Sequence, residues 1–181
     1  MKKVVILILA MLFNSCSNDD DNLTGINNDG SGGISCLVNG KVLKPSGGGL
    51  YGNTTAKFDY LSDEQIHILI ISFFSRDGGQ NRFTSVTLYG SDIDINNLEG
   101  QTIELRAEDN NESFATYLSG EATSAPKPGE EYLTNSTQVG ELKILFFDRD
   151  KRVIAGEFWF NAENEFGQIV KITEGRFDLR I

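Results

Sequence analysis

The last forty-odd residues, GELKILFFDRDKRVIAGEFWFNAENEFGQIVKITEGRFDLRI from Gly140 to Ile181, constrain the fold of this chain more than any other stretch. Along IAGEFWFNA, Phe158, Phe160 and Ala162 share one side and Glu157, Trp159 and Asn161 the other. Such strict alternation makes half-buried strands of this segment and of QIVKITEGRFDLRI after it. Glu174 and Gly175 read as a two-residue hairpin turn, the kind that needs positive φ, which sets Ile172 opposite Phe177 and Val170 opposite Leu179. With Glu163 to Gly167 as the preceding loop, Phe160 faces Val170 and Phe158 faces Ile172, so three strands align with every inward residue apolar. A one-residue slip would bury Lys171 and Asp178. The same register predicts that Trp159, Lys171 and Asp178 form a row across the outer face, and that row is the candidate binding face.

The rest of the chain supports an all-β domain. Nineteen Gly, twelve Phe and five Tyr against three Pro, with no long blocks of helix formers, predict an antiparallel β-sandwich or flattened barrel of about ten strands. At 181 residues the chain has room for one such domain, expected over 34–181. Asn39 and Gly40 predict a tight turn pairing Leu37 with Val42. Strands are expected from Ala56 to Leu61, Ile66 to Phe74, Arg82 to Tyr89, Gln101 to Ala107 and Ser113 to Leu118, with turns at 62–65, 78–79 and 108–112. The loop from Ser119 to Glu131 contains Pro126 and Pro128, which cannot sit in a central strand, and Tyr132 to Asn135 reads as a short edge strand. IHILIISFF, from Ile66 to Phe74, is apolar on both faces. One face meets the core, and the other needs cover from a second sheet, a loop, a ligand or a partner.

The N-terminus reads as an export signal. Lys2 and Lys3 precede the apolar run VVILILAMLF and small Ser15, a pattern for a signal peptide over 1–15 that is too short to remain as a membrane span. Phe13 to Cys16 resembles the lipobox of bacterial lipoproteins, in which the Cys thiol takes a diacylglycerol and becomes the acylated N-terminus. Asn14 and Phe13 depart from the commonest residues of that box. The run SNDDDN after Cys16 resembles the surface-export signal of Bacteroidetes-type lipoproteins, which implies an outer-membrane protein facing the cell exterior. From Cys16 to Gly33 the composition is Asn, Asp, Gly and Ser, and this reads as a disordered tether. With Cys16 lipidated, Cys36 has no disulfide partner and reads as a small buried hydrophobe; without lipidation a Cys16–Cys36 disulfide is available.

Charge and residue types narrow the function. Loss of Lys2 and Lys3 with the signal peptide leaves 14 basic residues against 26 acidic, a net of −12, which opposes nucleic acid and anionic lipid as partners. His67 is the only histidine and lies in the apolar strand, so a multi-histidine metal site is excluded and a Ser-His-Asp triad is disfavoured. Asp92 to Asn97 opens like a calcium loop but has Asn97 where the Gly belongs and Ile103 where the Glu belongs. A looser oxygen site from Asp92, Asp94 and Asn96 is the alternative to ordinary turn-forming roles. Asp148 with Asp150 and Glu163 with Glu165 place carboxylate pairs near hairpin tips without a visible cleft. No catalytic residue, metal site or cofactor is expected.

Gly156, Phe158, Phe160 and Ala162, followed by Ile172, Thr173, Gly175, Arg176, Phe177 and Asp178, carry a resemblance. They match the G-x-F-x-F-x-A strand and I-T-x-G-R-F-D ending of an uncharacterised family of small Bacteroidetes-type lipoproteins. The resemblance is strong over the last quarter and weak at VNGK. It implies a cell-envelope lipoprotein and brings no catalytic residues with it. Two functions are expected as alternatives: a surface module that binds a glycan or an envelope protein through Trp159 and its surroundings, or a lipocalin-like carrier of a small apolar ligand behind Ile66 to Phe74. A carrier needs an enclosed apolar pocket of about 300 Å³ or more.

Overall fold

The computed structural model describes residues 23–47, 52–77, 81–106, 112–121 and 126–181. The signal peptide, Cys16, the acidic run after it, the turn expected at 78–79 and all but Glu112 of the turn expected at 108–112 lie outside these residues. Eleven strands are found among the described residues: β1 (Gly33–Val38), β2 (Lys41–Leu43), β3 (Thr54–Leu61), β4 (Ile66–Asp77), β5 (Arg82–Gly90), β6 (Thr102–Leu105), β7 (Phe114–Glu121), β8 (Glu131–Leu133), β9 (Gly140–Asp148), β10 (Val153–Glu163) and β11 (Ile169–Arg180).

All strand pairs are antiparallel, in one sheet that does not close into a barrel and that branches at β10. Along its first part β10 pairs with β9, which carries β6. At its far end Glu163 pairs with Leu133 of β8, and the sheet continues through β7, β5 and β4 to β3. On its other side β10 pairs with β11, followed by β1 and β2. The inward faces of both branches share one core. Leu142, Ile144, Phe158, Phe160 and Phe177 come from one, and Leu69, Ile71, Phe73, Val86 and Leu88 from the other, as in two sheets packed face to face. β8 is thus not the edge strand that its length suggests. It lies between β7 and β10 and joins the two halves.

The turn at Asn39 and Gly40 has φ of 49° and 79° and pairs Leu37 with Val42, as expected. Glu174 and Gly175 are not a turn. β11 runs unbroken through them, with Glu174 at φ 52°. Phe158 pairs with Gly175 and Phe160 with Ile172, so Trp159 spans the two residues Thr173 and Glu174. This is a bulge, and one extra residue shifts the alternation by one place. Val170 and Ile172 before it, and Phe177 and Leu179 after it, therefore all point inward and are buried. The expected pairs Phe160–Val170 and Phe158–Ile172 are replaced by Ala162–Val170 and Phe160–Ile172, because the loop is closed one residue later on each side, around Asn164. The Asn164 carboxamide oxygen accepts the N–H groups of Phe166 at 3.1 Å and Gln168 at 2.9 Å.

Packing explains the glycine at the bulge. A Cβ on Gly175 would meet the Phe158 ring at 2.5–2.6 Å, and one on Gly156 would meet Cζ of Phe177 at 2.7 Å. Each ring fills the space over the other strand's glycine.

Part of the tether expected at 16–33 is packed on the sheet. Ser35 and Asp178 turn to the outer face yet are fully buried, because the chain between Thr24 and Gly32 lies over them. Thr24 N–H donates to Ser35 Oγ at 2.7 Å, and the N–H groups of Asn27 and Gly30 donate to the two carboxylate oxygens of Asp178 at 2.8 and 2.7 Å. This strap belongs to the folded domain.

The apolar strand β4 sends Leu69, Ile71 and Phe73 into the core. On its second face the ring contacts lie within its own sheet, where Ile70 stands opposite Tyr89. Phe74 lies 5.6 Å from Phe83, the Arg76 guanidinium stands 5.4 and 5.9 Å from the centroids of those two rings, and Tyr89 stacks on Phe114 at 4.7 Å.

Candidate binding face at Trp159

Alternation along β9, β10 and β11 leaves Glu141, Lys143, Glu157, Trp159 and Arg176 on the outer face while Leu142, Ile144, Phe158, Phe160 and Phe177 fill the core. The pairing then arranges the outer residues in two rows. In one, Trp159 stands between Glu141 on β9 and the bulge residue Glu174 on β11. In the other, Glu157 stands between Lys143 and Arg176. These six side chains surround an open cleft of about 290 Å³ whose lining also includes Phe158 and Gly175. Trp159 is 38% exposed, and its indole Nε1–H donates to Glu141 Oε2 at 3.2 Å, which fixes the ring plane. Three carboxylates and two cations leave the cleft without an excess of positive charge.

Of the three residues expected in a row, Trp159 alone lines this cleft. Lys171 is exposed beside Asn161, its main-chain N–H held by the Asn39 side chain at 2.9 Å. Asp178 is buried under the strap and pairs with Ala155, four residues along β10 from Trp159, or about 13 Å. The expected row fails because Glu174 and Gly175 are not a hairpin turn, so Lys171 and Asp178 lie seven residues apart on one strand, because the shifted loop sets Lys171 opposite Asn161 rather than Trp159, and because the strap covers Asp178. Sequence reasoning missed Glu141 and Lys143. Their signal is the alternation of GELKIL, which becomes informative only once β9 is known to lie beside β10.

The other candidates have structural roles. His67 is exposed at a hairpin end, 4.9 Å from the Tyr60 ring. Asp94 caps a one-turn helix: its side chain accepts the Asn96 N–H and the Asn97 amide, and these bonds hold its carboxyl below the ordinary range. Asp148 is likewise lowered by bonds from Lys151. Glu163 accepts from Asn135, and Glu165 from the Gly129 N–H. Among the described residues no group of three or more His, Cys, Asp or Glu is placed to hold a metal. Burial pushes the Cys36 thiol up to about 12, so it is neutral at physiological pH. No protein family matches the chain, and no curated protein or solved structure does either.

Proposed function

We infer that this chain is a cell-envelope lipoprotein, held in the outer membrane by acyl chains on Cys16 and facing the cell exterior, that works as a binding module with no catalytic step. The export signal, the lipobox resemblance and the acidic run support the anchoring. The single observation that carries the binding role is Trp159, a half-exposed aromatic ring on the polar face of a central strand, held in orientation by Glu141 and set in an open cleft. Exposed Trp in a partly enclosed polar setting is what binding surfaces are enriched in. The carrier reading has less support, because the inward side chains of β4 are packed in the core and the clefts around the described residues are open to solvent. The test compares the full chain with Trp159→Ala for retention of components of an envelope extract, read by native mass spectrometry. Loss of a retained component in the variant supports the reading. Equal retention by both overturns it.

A further inference from the structure

We propose that the Trp159 cleft takes one pyranose ring of a neutral or amine-bearing glycan, seated on the indole and held at both rims. This names the ligand class for the binding role inferred above and rests on that role.

The first argument is what the cleft cannot offer. β10 is hydrogen-bonded on both sides where Trp159 stands, to β9 and to β11, so its main chain cannot take up a peptide by strand addition, the mode that supplies affinity through backbone bonds. Recognition here has to come from side chains. The second argument is their distribution. An aliphatic C–H face stacks on an indole, and a saturated sugar ring presents such a face with hydroxyls around its edge. Glu141 and Lys143 stand on one rim, and Glu174 and Arg176 on the other. The rims lie two strand spacings apart, about 9.5 Å. A cleft of about 290 Å³ is at the small end for ligand sites, which agrees with a single ring.

Charge sets the subclass. Glu157 lies directly between Lys143 and Arg176 and offsets them, while Glu141 and Glu174 flank the indole. A phosphate, sulfate or carboxylate on the sugar would meet this excess of carboxylates. A hydroxyl or an ammonium would be accepted by it.

Trp159 is the only tryptophan beside five tyrosines, so indole fluorescence, excited at wavelengths that tyrosine does not absorb, reports on this cleft. The experiment titrates the full chain with methyl glycosides of glucose, galactose, mannose and glucosamine and with their oligosaccharides, and repeats the measurement by calorimetry. Expected are a saturable fluorescence change with a Kd between about 1 mM and 1 µM, at least a tenfold loss of affinity by calorimetry in Trp159→Ala, and a smaller loss in Lys143→Ala, with circular dichroism unchanged in both. Phosphatidylcholine vesicles with and without a glycosylceramide distinguish a lipid-borne sugar from a free one. Absence of any saturable change up to about 10 mM, a range that still detects the weakest specific binding, overturns the pyranose assignment. Equal affinity in Trp159→Ala overturns it as well. If that result comes together with a protein component that Trp159→Ala fails to retain from the envelope extract, the binding face stands and its ligand is a protein.

Discussion

Gly175 and Cys36 lie in adjoining strands beside the bulge, and each is fitted to its place by what surrounds it rather than by what it reaches for. The Phe158 ring occupies the position of a Gly175 side chain, and a core at close-packed density has no slack to give it. Gly175→Ala is expected to destabilise the domain by roughly 1–3 kcal/mol through overpacking, read as a lower urea midpoint at unchanged slope. Cys36 contributes a pH dependence. Its thiol is raised to about 12 in the folded chain from an ordinary 9.0, so between those values the unfolded state releases a proton that the folded state keeps. Folding stability attributable to this group is whole below pH 9 and falls above it, by up to about 1.4 kcal/mol per unit. The difference in stability between the wild type and Cys36→Ala should therefore shrink from pH 8 to pH 11, and a difference independent of pH would show that the thiol ionises freely in the folded state. Resistance of Cys36 to thiol reagents until the chain unfolds is the companion observation.

At the scale of elements, the structure shows how much of the fold was legible in the residues. Alternation named the strands and their inward faces, and Phe158, Phe160, Ala162, Val170, Ile172, Phe177 and Leu179 are all inside. It could not tell a turn from a bulge at Glu174, since each moves the alternation by one place, and the choice rests on a long-range contact between Phe158 and Gly175. Nor could it place Glu141 and Lys143 at the candidate site, because neighbours across a sheet depend on strand order and not on spacing along the chain. The strap was illegible for a different reason. A segment of Gly, Asn and Asp has little to bury and reads as tether, but it is held through its backbone N–H groups, which every sequence has, by one carboxylate 148 and 151 residues away. Asp178→Asn is expected to cost about 1–3 kcal/mol, because an amide cannot accept both N–H groups with a charge. Removing the strap, with a chain that begins at Gly33 in place of Leu23, should cost about 2 kcal/mol and lower the melting temperature by roughly 4–8 °C. Equal melting temperatures would show that the strap lies on the sheet without stabilising it.

For the whole molecule, the acidic balance bears on its surroundings, and so does the anchor proposed above. The net charge of −10 over the full chain opposes anionic headgroups, so the lipoprotein proposal assigns bilayer attachment to acyl chains. Cys16→Ala should move the protein from the membrane to the soluble fraction and abolish incorporation of a labelled fatty acid, and retention in the membrane would sink the lipid anchor. The Asp178 clip then has a mechanical meaning. If Cys16 is anchored and the cleft is occupied as proposed, tension between them reaches the strap before it reaches any strand, and it meets the two bonds to Asp178 and the one to Ser35. When these part, the nine residues from Thr24 to Gly32 release a segment that spans at most about 30 Å, while β1 stays paired to β11 from Gly33 onward. On the anchoring and binding proposed above, the strap would serve as a shock absorber, a sacrificial slack that takes up a sudden pull on a bound surface and refolds when the load is gone.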